Sequence, residues 1–193
     1  SVGATAATLA LSLAIGVGLG LLAGFRGGLA DGIVMRVADV ALSVPTLVVA
    51  IVVAALFGPA LLTVVVVATA FNWANYARVT RAIVRQVRHE PFVDAARAIG
   101  ATPWRIATRA VLPHVWGPVT AMATIDVGAL LMTISGLSFL GLGDPSVASW
   151  GKMIENAFER SAISYGAWWA IVPPGIAVAL VIMAFNMVGT AAE

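Results

Sequence analysis

Three long stretches of this 193-residue chain contain no Asp, Glu, Lys or Arg, and they constrain its fold more than any other feature. They cover residues 1–25, 40–77 and 161–192. A helix needs about 20 apolar residues to cross the hydrocarbon core of a bilayer, so each stretch is long enough for at least one crossing. Because 61% of the chain is hydrophobic and only 10% is charged, the sequence predicts an all-α membrane protein rather than a soluble domain.

The charge-free stretches predict a polytopic helical bundle with about five membrane-spanning helices. The first span is expected at about 4–24. The stretch 40–77 is too long for one crossing and fits two, separated at Gly58-Pro59, a dipeptide typical of turns. Glycine recurs in the first span at positions 16, 18, 20 and 24, and we expect it to allow close helix packing, with flexibility against lipid as the alternative.

The C-terminal half of the chain predicts the remaining two spans. The stretch 110–143 contains a single charged residue, Asp126, and predicts a span at about 113–135. The last charge-free stretch predicts a span at about 167–189. This span contains Pro173-Pro174, which we expect to kink the helix.

Arginine lies almost entirely on one side of these spans. The segments between spans one and two and between spans three and four hold all the Lys and Arg except Lys152 and Arg160. The positive-inside rule assigns this arginine-rich side to the cytoplasm. Four arginines within 78–88 are spaced for one face of a helix, and anchoring near anionic lipid is one explanation for them.

Residues 90–109, which we call the hairpin, predict two short cytoplasmic helices. Pro91 is suited to the first turn of a helix, and Gly100 is a favourable C-terminal stop. Thr102-Pro103 is typical of a second helix start, with Thr102 as its N-cap. The alternative is a structureless loop, which the repeated start and stop signals disfavour.

The hairpin carries a recognisable pattern. Its Asp-Ala-Ala, the Gly that follows after three intervening residues, and the Leu-Pro after the hairpin resemble the cytoplasmic loop signature of ABC importer permeases. That signature reads Glu-Ala-Ala, three residues, Gly, nine residues, Ile, one residue, Leu-Pro. The spacing matches throughout, with Asp94 in place of Glu and Ala110 in place of Ile. We call the matching residues the coupling motif: Asp94, Ala95, Ala96, Gly100, Leu112 and Pro113.

A second resemblance narrows the branch of the family. Residues 136–143, with Pro145 and Ser149-Trp150-Gly151, are similar to the outer loop of dipeptide, oligopeptide and nickel permeases. The segments 35–45 and 185–189 resemble the same branch. The resemblance implies one transmembrane permease domain, 1–193, of the second permease of a pair. Members usually have six spans, so we expect this sequence to be a fragment that lacks the first helix.

The segment 136–166 is expected to form an outer loop. We expect Gly136–Gly143 to fold back along the outer mouth and Trp150–Arg160 to form a short amphipathic helix. In the resembled family this region meets the extracytoplasmic solute-binding protein.

The resemblance implies a membrane-spanning permease subunit of an ATP-driven importer for peptides or a related small solute, in the inner or plasma membrane of a prokaryote. Implied partners are a sister permease, ATPase subunits that bind ATP and Mg, the solute-binding protein and the lipid membrane. The chain contains no Gly-x-x-x-x-Gly-Lys-Ser/Thr loop, so it is not expected to be an enzyme by itself or to hold a cofactor. No nucleic acid is expected as a partner.

A standalone channel or a proton-coupled carrier is the alternative function. A carrier needs a relay of intramembrane carboxylates or histidines, and Asp126 is the one carboxylate deep in a predicted span. Asp126 and Met132 are candidates for the translocation path, whereas a hydrogen-bonded strut between subunits is the other explanation for Asp126. No catalytic constellation is evident, and no metal site is expected at His89 and His114.

Overall fold

The structure of the chain, a computed structural model, describes residues 2–144 and 146–191, the side chains of 188–191 excepted. Within these residues all regular structure is helical. The α-helices are α1 Val2–Arg26, α2 Gly28–Ser43, α3 Thr46–Phe57, α4 Leu61–Val87, α5 Pro91–Ala98, α6 Pro103–Arg105, α7 Leu112–Phe139, α8 Trp150–Glu159 and α9 Val172–Ala191. A π-helix, Ile106–Val111, joins α6 to α7, and a 3-10 helix, Trp168–Ala170, precedes α9. The predicted all-α architecture is confirmed. Pro145, which belongs to the predicted outer-loop signature, lies outside the described residues.

Three helical segments in the described residues are long and apolar enough to cross a membrane: Val2–Arg26, Pro103–Phe139 and Trp168–Met187. A fourth is obtained when α2 and α3 are taken together, although they are bent by 81° at the break between them. The predicted polytopic bundle is therefore confirmed, with three or four such spans against about five expected. The difference lies in residues 28–87.

Two features of residues 28–87 explain this count. The helix before Thr46 starts at Gly28 rather than at residue 40, and it ends at Ser43 just before Pro45, which disfavours continuation of a helix through the residue that precedes it. The next helix, α4, has 27 residues and is long enough to cross. From Asn72 onward it is more polar, with Asn72, Asn75 and Arg78, and α4 is therefore not apolar enough to be counted as a span.

The chain forms two compact units, each described here by itself. The first contains the residues up to Ala10, Val44–Ala70 and the chain from Ala123 onward. The second contains Leu11–Ser43 and Phe71–Met122.

A glycine seam holds α1 against α4 in the second unit. A Cβ added at Gly16 would lie 2.5 Å from both the Trp73 carbonyl oxygen and Tyr76 Cβ, and one added at Gly20 would lie 2.6 Å from the Ala77 carbonyl oxygen. These distances are too short for any side chain, so glycine is required for the approach of the two helices. The predicted role of Gly16 and Gly20 is confirmed. Gly18 has open space around it and takes no part in the seam.

The seam also gives the direction of the helices. Gly16 lies against Tyr76, Gly20 against Thr80 and Gly24 against Val84, so positions along α1 and α4 rise together. The two helices therefore run parallel, which is the arrangement expected for the first and third spans of an alternating bundle.

Helix α2 packs on the same part of α4. Ala38 is fully buried in a cluster with Trp73, Ala74 and Ala77. The opposite face of α2 is apolar but exposed, with Leu29 86% exposed and Ile33 65% exposed. Small buried residues thus bring α2 close to α4, while its outer face is available to lipid or to a partner.

In the first unit, α8 packs on the end of α7. Gly151 of α8 lies so close to the Ser135 carbonyl oxygen that a Cβ could not be accommodated there, and Phe158 meets Phe139 edge to face at 6.1 Å. Ser149 caps α8 by accepting a hydrogen bond of 3.1 Å from the backbone N–H of Lys152. The predicted short helix after Ser149 is confirmed at Trp150–Glu159. The expected fold-back of 136–143 is wrong in its first half, because α7 continues to Phe139.

The expected kink in the last span is also wrong. Pro173 and Pro174 lie in the first turn of α9 rather than in its interior, because the helix begins at Val172. Proline is accommodated there, since the first backbone N–H groups of a helix have no intrahelical acceptor.

Candidate coupling surface

The first helix of the hairpin, α5, exposes the first residues of the coupling motif. Glu90 occupies the N-cap position with extended backbone, and Pro91 begins the helix. Val93 is fully buried and fixes the helix to the rest of the second unit, which leaves Asp94 and Ala95 on the exposed side. Asp94 accepts a hydrogen bond of 2.8 Å from Arg97, and its side chain remains 67% exposed. A carboxylate in the first turn also stabilises the helix through its dipole.

Gly100 ends α5 in a conformation that other residues avoid. Its φ is +80°, in the left-handed region. The Gly100 N–H donates to the Arg97 carbonyl at 2.9 Å, and the Ala101 N–H donates to the Ala96 carbonyl at 3.1 Å. These two bonds form the Schellman pattern, which requires the positive φ. The space that a Gly100 side chain would enter is open, so the requirement for glycine within the chain is one of backbone conformation.

The second helix of the hairpin starts as predicted but does not end where expected. Thr102 Oγ1 accepts a hydrogen bond from the Arg105 N–H at 3.4 Å, and Pro103 takes the first helical position. The helix then continues through the π-helix into α7, so Pro103–Phe139 is a single helical segment of 37 residues. The expectation of two short helices is therefore corrected: the second is the start of a membrane span.

The last residues of the coupling motif, Leu112 and Pro113, lie at the start of α7. Leu112 is half-buried and Pro113 is exposed. Close to them in sequence, the ring of Phe92 on α5 meets the ring of His114 on α7, with the centroids 5.2 Å apart. This contact fastens the first hairpin helix to the base of the membrane helix. His114 therefore packs against an aromatic ring.

The arginines of α4 form ion pairs that sequence reasoning missed. Arg81 binds both carboxylate oxygens of Asp31 through Nε and Nη2, and Arg85 lies 3.8 Å from the same carboxylate. Arg78 pairs with Asp39 at 2.6 Å. The acids are eight positions apart on α2, and this spacing, which places them on one helical face, is the signal that was available.

Arg88 completes this set with a different partner. Its Nη1 donates a hydrogen bond of 3.0 Å to the Gly24 carbonyl oxygen near the C-terminus of α1. A cation is favourable at a helix C-terminus, where backbone carbonyls have no intrahelical donor. The α4 arginines thus connect α4 to both α1 and α2.

The structure places the two candidates for the translocation path on different parts of α7. Asp126 is half-buried, whereas Met132 is 69% exposed. Met132 shares its face with Ile125, seven residues earlier and 50% exposed. Between them, Gly128 faces α9, since a Cβ there would lie 3.0 Å from Ile182 Cγ2. Met132 therefore belongs to an open face of α7, and Asp126 lies beside that face rather than on it.

Two polar features of the segment 136–166 were also missed by the sequence reasoning. Lys152 and Glu155 form an ion pair of 2.9 Å in which the Glu155 side chain is only 12% exposed. Asp144 accepts hydrogen bonds from the Ser146 hydroxyl and backbone N–H at 2.6 and 2.8 Å, which hold the pKa of this carboxyl below its usual value. Both features stabilise the path of the chain around α8.

Comparisons with known proteins agree on one family. Residues 16–192 match the family described as "Binding-protein-dependent transport system inner membrane component". The dipeptide transport system permease protein DppC of Bacillus subtilis is 36% identical over 169 residues, which cover 87% of this chain and 52% of that protein. The oligopeptide transport system permease protein OppC of the same organism is 34% identical over 169 residues, covering 87% and 54%. The chain thus spans about half the length of the curated relatives it matches.

A solved structure shows the same fold. Inward-facing MetNI, a methionine ABC transporter, contains a chain that superposes with a TM-score of 0.60 at 21% identity, covering 100% of this chain and 94% of that one.

Proposed function

We propose, on the premise that this chain belongs to the family of binding-protein-dependent transport system inner membrane components, that it is the membrane-spanning permease subunit of an ATP-driven importer. The observation that carries the proposal is the hairpin. Its motif residues Asp94, Ala95 and Gly100 are exposed, while Val93 is buried and Phe92 contacts His114. One face of α5 is thus held against the rest of the second unit, and its exposed face is available to a partner.

Energy is supplied by a separate ATPase. The 193 residues contain no phosphate-binding loop with a lysine, so ATP and Mg are bound by the ATPase subunits. Movement of the ATPase displaces the hairpin. Because the helix from Pro103 runs without a break to Phe139, a displacement at its start is passed along the membrane span.

The substrate class is a peptide or a related small solute. The relatives named above are permeases for dipeptides and oligopeptides, and this supports the same class here. An extracytoplasmic solute-binding protein delivers the substrate to the side that carries α8. The membrane is the inner or plasma membrane of a prokaryote, with the arginine-rich side in the cytoplasm.

A sister permease forms the other half of the translocation path. Helix α9 supports this assignment, because only 6% of its apolar span is buried within the described chain, against 50% for the span that contains α7. Met183 and Leu180 are 59% and 60% exposed on α9. Such a surface is covered by lipid or by a second permease, and a two-chain path requires at least part of it to meet the sister.

Asp126 and Met132 remain proposed path residues. Asp126→Asn keeps the shape of the side chain and removes its charge, so a charged path residue predicts a selective loss of transport for cationic peptides. Equal transport of cationic and neutral peptides would leave Asp126 as a strut between helices. The matched variant Thr124→Val, two positions away, controls for loss of a polar group on the same helix.

The test of the coupling role uses two glycines with the same backbone geometry. Gly100 and Gly28 both have positive φ, +80° and +57°, and both have open space around the Cβ position. A β-branched residue at either position strains the backbone by about 1–2 kcal/mol. In the reconstituted transporter we expect Gly100→Val to lower transport at least about tenfold while ATP hydrolysis continues. Gly28→Val, outside the hairpin, should keep the two activities coupled.

Equal effects of the two variants on coupling would attribute the loss to backbone strain in general. Normal transport by Gly100→Val would reject the coupling role of the hairpin.

A further inference from the structure

A small cavity lies on the hairpin between the end of α5 and the start of the second helix. Its volume is about 250 Å³, and its lining includes Ile99, Gly100, Arg105, Arg109 and Ala110. Sites for drug-sized ligands and cofactors are usually about 300–1,000 Å³. The cavity is therefore too small for a nucleotide or a peptide substrate and has room for one or two amino-acid side chains.

The cavity carries a positive charge that no ion pair within the described part of the chain compensates. Arg105 and Arg109 are four positions apart at the α6 and π-helix junction, and both are exposed. Among the ion pairs formed by residues 2–144 and 146–191, none includes either of them. Asp94, the acid of the adjacent helix α5, is bound to Arg97. A carboxylate supplied from outside would complete this pair of guanidinium groups.

The apolar part of the cavity is also incomplete. Ile99, which lines the cavity, is 86% exposed, so its side chain is available for an apolar contact with a partner. Ala110 occupies the position at which the resembled family signature has Ile. The smaller side chain leaves space at the wall of the cavity that an isoleucine would fill.

We infer that this cavity is a specificity pocket that receives one Asp or Glu side chain of the ATPase subunit, with an apolar neighbour of that residue packing on Ile99. The pocket adjoins Ala96 and Gly100 of the coupling motif, which places the occupant in the ATPase rather than in the bilayer. Ala110 makes the pocket selective for an ATPase whose side chain fills the extra space. This inference rests on the proposed function and adds the residues that determine which ATPase binds.

The charge is tested by the binding of the purified cognate ATPase to the full permease complex in nanodiscs that contain only phosphatidylcholine. We expect Arg105→Glu and Arg109→Glu each to raise the dissociation constant by at least about tenfold, because a buried carboxylate would then face a like charge. Arg36→Glu is the matched control, since Arg36 is exposed, also lies on the arginine-rich side and is outside the cavity. It should change the constant by less than about twofold.

The space is tested by Ala110→Ile against Ala82→Ile. Both replace an alanine of the second unit by isoleucine, but Ala82 is exposed on α4, outside the hairpin, and does not line the cavity. We expect Ala110→Ile to weaken binding of the cognate ATPase by about fivefold to tenfold and Ala82→Ile to weaken it by less than about twofold. Changing each Asp and Glu of the ATPase groove to Arg should identify one residue whose reversal restores binding to Arg109→Glu.

The remaining outcomes overturn the inference in distinguishable ways. If Arg36→Glu weakens binding as much as Arg109→Glu, the attraction is a general charge effect. If the cavity arginines matter only when anionic lipid is added, their ligand is a lipid headgroup. Unchanged binding in all cavity variants rejects the pocket and leaves the proposed function intact, whereas failure of the unmodified complex to bind any ATPase rejects both. Arg109→Gln, which removes the charge without reversing it, decides the case if Arg109→Glu does not fold.

Discussion

The arginines of α4 and those of the hairpin cavity carry the same charge within one compact unit, but their surroundings differ. Arg81 is bound by both oxygens of Asp31, and Arg78 is paired with Asp39. Arg105 and Arg109 take part in no ion pair with residues 2–144 or 146–191. The first set is compensated inside the chain and joins helices, whereas the second set is available to a partner. Arginine clusters in a membrane protein therefore have to be sorted by their partners before a function is assigned to them.

The largest effect on stability is expected where α1 packs against α4. Gly20→Leu forces a side chain into a position 2.6 Å from the Ala77 carbonyl oxygen, so α1 and α4 must separate. We expect a loss of about 3 kcal/mol of stability, measured as thermal unfolding in detergent. Gly18→Leu adds the same side chain to the same helix in open space and should be nearly neutral. Similar losses for the two variants would contradict a seam that is specific to one face.

The ion pairs give the next largest effect. Asp31→Ala removes the partner of Arg81, and both side chains are mostly buried, at 16% and 28% exposure. We expect a loss of about 2 kcal/mol, because a partly buried guanidinium loses its charged acceptor. Asp39→Ala removes a pair whose side chains are 57% and 49% exposed, and it should cost about 0.5 kcal/mol. Thermal unfolding measures both losses. A larger loss for Asp39→Ala would contradict the expectation that the more buried pair contributes more to stability.

The smallest effect on stability is expected at the hairpin. Asp94→Ala removes an exposed pair with Arg97 and should change the stability by less than about 0.5 kcal/mol. The same variant should weaken ATPase binding by about fivefold, because Asp94 faces outward in the coupling motif. Titration of the ATPase together with thermal unfolding separates the two quantities. A loss of stability without a loss of binding would show that Asp94 stabilises the fold and does not contribute to ATPase binding.

The parts of the fold that could be predicted from the sequence are those determined by local signals. Pro91, Gly100 and Thr102 act on their own backbone, and each begins or ends a helix at the predicted position. The glycine seam was predicted from the four-residue spacing of Gly16 and Gly20, because that spacing places both on one face. The motif at 94–113 likewise carried the family resemblance, which the match over residues 16–192 confirms.

The parts that could not be predicted depend on distant residues. Asp31 is 50 positions from Arg81, so nothing local distinguishes this pair from arginines that anchor to lipid. The continuation of the hairpin into α7 was missed because the span was placed from the lack of charge after Arg109, whereas the helix starts at Pro103 and continues through the π-helix. A separate 3-10 helix, Trp168–Ala170, precedes the start of α9 at Val172, and hydropathy does not mark this division within an apolar stretch.

Single-cysteine crosslinking tests the docking of the hairpin most directly. The 193 residues contain no cysteine, so Ala95→Cys and Gly32→Cys each introduce one defined site. Ala95 and Gly32 are both exposed in the second unit, the first on α5 of the hairpin and the second on α2. After labelling with a photoreactive maleimide and addition of the cognate ATPase, the Ala95→Cys permease should crosslink to the ATPase and the Gly32→Cys permease should not. Crosslinking at Gly32 with none at Ala95 would contradict the account.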